Sequence, residues 1–166
     1  MKTQTNRNRH FLCGLIVLCF ISCDSKREHD SYVSIPNKTW EATNNISFPF
    51  IVNDTINKKN LFITLRNNKE YPYSNLFLIA KLEFPNGEKV VDTLEYEMAD
   101  ASGKFLGSGF TDIKESKLFY KEDKIFPVSG KYVVTVSQAM RKNGDVDGIK
   151  SLEGITDVGF RIEKKN

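Results

Sequence analysis

The sequence predicts an all-β protein, an antiparallel β-sandwich of about seven strands and immunoglobulin-like, carried behind a short export segment. Strand-length runs of apolar residues, alternating or continuous, recur at short spacing, and turns rich in Gly and Asn separate them. No segment shows the 3.6-residue periodicity of a long amphipathic helix. The 166 residues are 40% hydrophobic, 27% charged and 11% aromatic. That balance is ordinary for a soluble domain, and the length suits one core.

The N-terminus stands apart from that pattern. Lys2, Arg7 and Arg9 precede an apolar run at residues 11–21. A membrane-spanning helix needs about 20 apolar residues, so this shorter run reads as a secretion signal. It ends in Ser22-Cys23, a small residue before cysteine that resembles the bacterial lipobox, although leucine is commoner where Phe20 sits. In that motif the thiol is diacylated and Cys23 becomes the first mature residue. The expected organisation is a lipoprotein signal peptide over 1–22, a flexible tether over 23–31, and the sandwich over 32–166. Residues 24–30 are charged and lack aliphatic side chains, which is the composition of a solvated linker.

Cleavage changes the charge balance. Three of the 24 basic residues leave with the signal, so the remaining 21 face 21 acids. A neutral mature chain lacks the basic face that nucleic-acid binding requires. Cys13 and Cys19 leave too, and lipid consumes Cys23, so the mature chain can form no internal disulfide and must rely on its core.

The strands follow in order. Residues 46–52 alternate around Pro49, which marks an edge strand. Residues 61–65 form a short buried run. Residues 76–84 and 88–97 flank Pro85-Asn86-Gly87, and that turn makes them a hairpin. Residues 117–120 give a further strand. Residues 131–137 alternate, with Val133 and Thr135 on one face and Tyr132, Val134 and Val136 on the other. Residues 158–162 give the last strand. Residues 137–154 read equally as a short helix or a long loop.

The chemistry-bearing residues are few. Beyond the signal segment the only histidine is His29, and no free thiol remains. Ser-His-Asp and Cys-His catalysis and zinc sites therefore lack their parts, and no pair of carboxylates is singled out for glycoside hydrolysis. The expectation is a protein that is no enzyme, holds no metal or cofactor and takes no small-molecule substrate. Asn143-Gly-Asp-Val-Asp-Gly148 has part of a calcium-loop spacing, but Gly154 occupies the twelfth position where a bidentate glutamate belongs. A polar turn explains the same residues. Gly103, Gly107 and Gly109 fit neither a dinucleotide fingerprint nor a P-loop and read as a bulged turn. Trp40 reads as a core anchor.

Several segments together resemble the gliding-motility lipoprotein GldH family of the Bacteroidetes. They are Arg66-Asn-Asn-x-x-Tyr-Pro-Tyr-Ser-Asn-Leu-Phe77, Asp92-Thr-x-Glu-Tyr-x-Met-Ala-Asp100 and Gly103-x-x-Leu-Gly-x-Gly109. Gln138-Ala-Met-Arg141 and Gly154-Ile-x-Asp-Val-Gly159, with Trp40 and the lipobox, complete the set. The resemblance implies a non-enzymatic, lipid-anchored cell-envelope lipoprotein, outer-membrane-associated, required for gliding over surfaces. It also implies a link to the type IX secretion apparatus through protein–protein contact. It brings no catalytic residue and no ligand.

Under that resemblance Arg66, Asn68, Tyr71, Tyr73 and Asn75 form a candidate partner-docking loop. The other reading is a loop whose Arg66 and Asn75 satisfy backbone carbonyls at the sandwich end. The resemblance also makes Asp54-Thr55-Ile56 and Asp92-Thr93-Leu94 candidate O-glycosylation sites. Thr55, in a polar turn, is favoured over Thr93, in a strand. A second functional reading is a lipid-anchored sandwich that binds glycan or peptidoglycan, for which one tryptophan is a thin aromatic supply.

Overall fold

The computed structural model describes residues 26–165, which hold ten strands and no α-helix. The signal segment and Cys23 lie outside the described residues. In order the strands are β1 (Arg27–Ser34), β2 (Thr39–Glu41), β3 (Ile46–Val52), β4 (Lys59–Asn67), β5 (Asn75–Glu83), β6 (Lys89–Glu97), β7 (Lys114–Lys124), β8 (Gly130–Gln138), β9 (Ser151–Glu153) and β10 (Ile155–Lys164). One four-stranded sheet has the order β1-β10-β4-β7, the other β3-β8-β5-β6, and β2 pairs with β9 alone. All pairings are antiparallel.

The antiparallel sandwich is therefore present, and its winding is more specific than an immunoglobulin-like pattern. With the short β2–β9 pair set aside, eight principal strands remain. Numbered one to eight, they alternate between sheets as 1-8-3-6 and 2-7-4-5. This is the double Greek key of a jelly roll.

Period-two burial explains why these residues form these strands. In β3, Ile46, Phe48, Phe50 and Val52 point inward and Pro49 outward, with β3 at the sheet edge as the proline requires. Leu76, Leu78, Ala80 and Leu82 of β5 meet Tyr132, Val134 and Val136 of β8 in one inner face. Leu61, Ile63 and Leu65 of β4 and Val158, Phe160 and Ile162 of β10 form the other. Phe50 lies 5.3 Å from Phe160 and 5.7 Å from Tyr132 between ring centroids, so one phenylalanine ties the two sheets together.

The structure corrects the N-terminal boundary. Residues 27–31, expected in the tether, belong to β1, and Arg27 pairs across from Glu163. Their charges are paired rather than solvated. Arg161 bonds Asp30 at 3.2 Å and Glu163 at 2.6 Å, and Lys117 reaches Glu163 at 2.6 Å. His29 faces inward, 5.8 Å from Phe160, and burial holds its pKa below the usual histidine value against the pull of Asp30. On the outer face the Tyr32 ring crosses Gly159, where an added Cβ would lie 2.7 Å from it. The Arg66 guanidinium stacks 4.4 Å above the same ring. The residues left open at 137–154 contain no helix; they form the end of β8, an exposed turn and β9.

Antiparallel pairing gathers the connections at two poles. The N-terminal pole holds the start of β1, the end of β10 and residues 53–58, 84–88 and 125–129. The far pole holds residues 35–45, 68–74, 98–113 and 139–154.

Candidate functional site

The far pole is organised by the connection from β4 to β5. Asn68 is buried. Its backbone amide donates to the Gly154 carbonyl at 2.9 Å and its side-chain oxygen accepts from the Glu70 amide at 2.9 Å. This makes a local turn that replaces strand pairing. Tyr71 is buried against Tyr73 and Phe105, and its hydroxyl donates to the Asn75 carbonyl at 2.6 Å. Burial first, then neighbouring Tyr73, pushes its pKa well above the ordinary tyrosine value. Gly154 closes the arrangement, donating to the Lys38 carbonyl at 2.9 Å with φ of 82°.

The candidate docking residues therefore divide. Asn68 and Tyr71 turn inward and hold the loop. Arg66 stays on the sheet face, donating to Glu115 at 2.7 Å rather than to a backbone carbonyl. Asn75 accepts through its carbonyl, and its side chain reaches Glu95 at 3.4 Å. Tyr73 and Asn75 remain half-exposed and line a cleft of about 850 Å³. The opposite wall comes from Met140, Arg141, Lys142 and Asp145, which the docking reading had left out. On its other side Tyr73 borders a second cleft of about 450 Å³, reaching Asp147 and Glu153.

The second wall is held by Gln138, whose side chain donates to the Ile149 carbonyl at 2.7 Å and accepts from the Met140 amide at 2.9 Å. Arg141 and Lys142 are exposed and have no ion-pair partner among the described residues. The sequence signals for this wall were the segment 138–141 and the polar turn at Asn143–Gly148, neither of which pointed to Tyr73. Without the strand pairing that sets β8 beside β5, nothing tied it to Tyr73.

Two other expectations find their places. Trp40 is fully buried in β2, so its ring is withdrawn from any sugar-binding surface. Thr93 is exposed whereas Thr55 is half-buried, so exposure favours Thr93 and reverses the expected preference. The Asn57 and Ile56 amides bond Asp54 and hold its carboxyl well below the usual range. Asp92 accepts from the Tyr120 hydroxyl at 3.1 Å and pairs with Lys121 at 2.8 Å. Among the described residues no group of three or more His, Cys, Asp or Glu is arranged to hold a metal ion. No helix among them is long and apolar enough to cross a membrane.

The sequence matches the GldH lipoprotein family over residues 27–162. The chain belongs to the GldH lipoprotein family. A gliding motility lipoprotein GldH homolog of Christiangramia forsetii is 53% identical over 156 residues, covering 94% of this chain and 95% of its own. The gliding motility lipoprotein GldH of Flavobacterium johnsoniae is 51% identical over 156 residues, covering 92% of this chain and 96% of its own. A solved subviral particle of infectious bursal disease virus VP2 aligns over 85% of this chain and 34% of its own. Its 14% identity and TM-score of 0.36 are too low to carry anything across.

The segments by which the GldH resemblance was read converge in space. Residues 66–77, 92–100, 103–109, 138–141 and 154–159, with Trp40, all lie at or run into the far pole, the 92–100 segment entering it from the middle of β6. Among the described residues the N-terminal pole carries none of them, and the lipobox lies outside the described residues.

Proposed function

We propose that this GldH-family chain is an envelope lipoprotein acting in gliding motility, anchored through lipid on Cys23 at the outer membrane and working by protein–protein contact. Its partners on this reading are components of the gliding and type IX secretion apparatus, and it performs no catalysis. The single observation behind this is the convergence of the family segments on the far pole, where two of them, 66–77 and 138–141, line the cleft between Tyr73 and Arg141. A non-catalytic protein that must meet a fixed partner needs one rigid, specific surface, and this cleft is built from two cross-braced loops. Exposed aromatic and arginine side chains are the residue types that dominate contact energetics.

Tyr73→Ala is expected to abolish gliding while the folded protein persists at normal abundance, because the ring is only half-buried and its loop is held by Asn68 and Tyr71. Parallel thermal melts and spreading assays check this. A large loss of thermal stability with gliding retained would assign Tyr73 to the fold. A photo-crosslinker at position 73 in native membranes names the neighbour. Capture of cell-wall glycan instead of an apparatus protein would favour the glycan reading, which keeps Tyr73 as its aromatic platform after losing Trp40.

Thr93 is proposed as the O-glycosylated position, being exposed on β6 beside Asp92. Intact mass of the purified lipoprotein should show added glycan that Thr93→Ala removes. Unchanged mass in that variant rejects the assignment.

A further inference from the structure

The two poles differ in charge and in what they expose. At the N-terminal pole, residues 26–28, 53–58, 84–88, 125–129 and 163–165 carry five basic and four acidic side chains. At the far pole, residues 35–45, 68–74, 98–113 and 139–154 carry six basic and seven acidic. The N-terminal pole thus carries a small positive excess and the far pole a small negative one.

The same pole presents apolar side chains at loop tips. Ile56 is 81% exposed, Val128 47% and Ile125 45%. These tips are held in place. Asp54 accepts from the Ile56 and Asn57 amides at 3.0 and 3.1 Å, and the Tyr132 hydroxyl donates to the Val128 carbonyl at 2.7 Å. Lysines lie near them in the chain: Lys58, which pairs with Asp123 at 3.1 Å, two residues past Ile56; half-buried Lys124 before Ile125; and exposed Lys131 three residues beyond Val128. Apolar tips with lysines nearby are the chemistry that seats in the interface of a bilayer, with the tips at the headgroup–acyl boundary and the amines among the phosphates.

The length of chain outside the fold decides what can occupy this face. β1 begins at Arg27, four residues past Cys23, and four residues span at most about 14 Å when fully extended. The strands separate the two poles by about 30 Å, at roughly 3.3 Å per residue. A lipid on Cys23 therefore brings the N-terminal pole to the headgroups and leaves no slack to turn the far pole toward them.

We propose that the N-terminal pole is a second membrane contact, in which Ile56, Ile125 and Val128 enter the interface of a phospholipid bilayer and the nearby lysines meet its phosphates. The domain then stands upright, with the Tyr73 cleft facing away from the membrane. This rests on the lipidation of Cys23 in the reading above.

The mature sequence supplies a clean probe site, since it has no cysteine besides Cys23. The acylated protein carrying Ile56→Cys is labelled with an environment-sensitive fluorophore and reconstituted in vesicles of phosphatidylethanolamine and phosphatidylglycerol containing a doxyl-labelled quencher lipid. Val146→Cys, at an 87% exposed far-pole tip, is the comparison. Quenching of the position-56 probe with loss of its accessibility to aqueous iodide, and neither effect at 146, is the expected result. A position-56 probe that stays open to iodide in acylated, vesicle-bound protein overturns the proposal and leaves the anchor intact. Equal lipid quenching at 56 and 146 also overturns it, because the domain then lies flat. Purified protein whose mass lacks acyl chains, and which fails to float with vesicles, removes the anchor and this proposal together. Unchanged quenching when Lys58, Lys124 and Lys131 are replaced by Gln overturns the part assigned to the lysines.

Discussion

Trp40→Ala is expected to lower stability by about 3–5 kcal/mol, the range for truncating a buried tryptophan, against a total of about 5–15 kcal/mol for a domain of this kind. Trp40 is completely buried in the short strand β2, and its indole N–H donates to the Asn44 carbonyl at 2.9 Å. Truncation leaves both a cavity and an unpaired carbonyl. The strand cannot compensate, because β2 pairs with β9 over three residues only, and Leu152 of β9 is buried with it. Abundance in the cell should therefore fall and gliding fail as a consequence. Chemical denaturation of the purified variant checks this directly. A midpoint within experimental error of the parent would show that Trp40 is no anchor.

Gly154→Ala is expected to be comparably damaging through a different cause. The residue has φ of 82°, and a Cβ would sit 2.1 Å from the Tyr71 backbone nitrogen and 2.5 Å from its Cα. Left-handed backbone alone costs a non-glycine residue about 1–2 kcal/mol. The clash adds to that, since its partner is backbone and cannot rotate away. Relief requires the 68–74 turn to move off β9, which breaks the bond from Asn68 to Gly154 and loosens the bond from Gly154 to Lys38. Loss of protection in amide hydrogen exchange should concentrate at residues 68–75 and 150–156 and spare the N-terminal pole. Uniform loss across both sheets, or none, would contradict this account.

The two cases differ in how far the sequence announced them. A lone tryptophan in a chain without disulfides is a strong prompt for a core anchor, and strands that bury one face declare themselves by alternation, as β3, β5 and β8 do. The β5–β6 hairpin was legible from Pro85-Asn86-Gly87 for the same local reason. β1 was not, because an edge strand covered on one side by paired charges has the composition of a linker until Arg161 and Glu163 are set beside it. The jelly-roll winding was also hidden, since strand order depends on pairings between residues as distant as Arg27 and Glu163. At the site, Tyr73 and Asn75 could be singled out, but their division from the inward-facing Asn68 and Tyr71 could not. Asn and Tyr read alike whether their polar atoms meet solvent, a backbone amide two residues on as Asn68 does, or a backbone carbonyl four residues on as Tyr71 does.

The proline at position 49 matters beyond the strand that contains it. β3 is a sheet edge, paired with β8 over residues 46–52 and open on its other side. Lipid anchoring confines copies of a protein to a plane, where diffusion in two dimensions raises the frequency of encounters far above that of the same copies free in solution. An uninterrupted edge under those conditions would invite neighbours to zip together strand upon strand. Pro49 removes a donor from the middle of that edge, so the strand offers a neighbour an interrupted ladder in place of a continuous one.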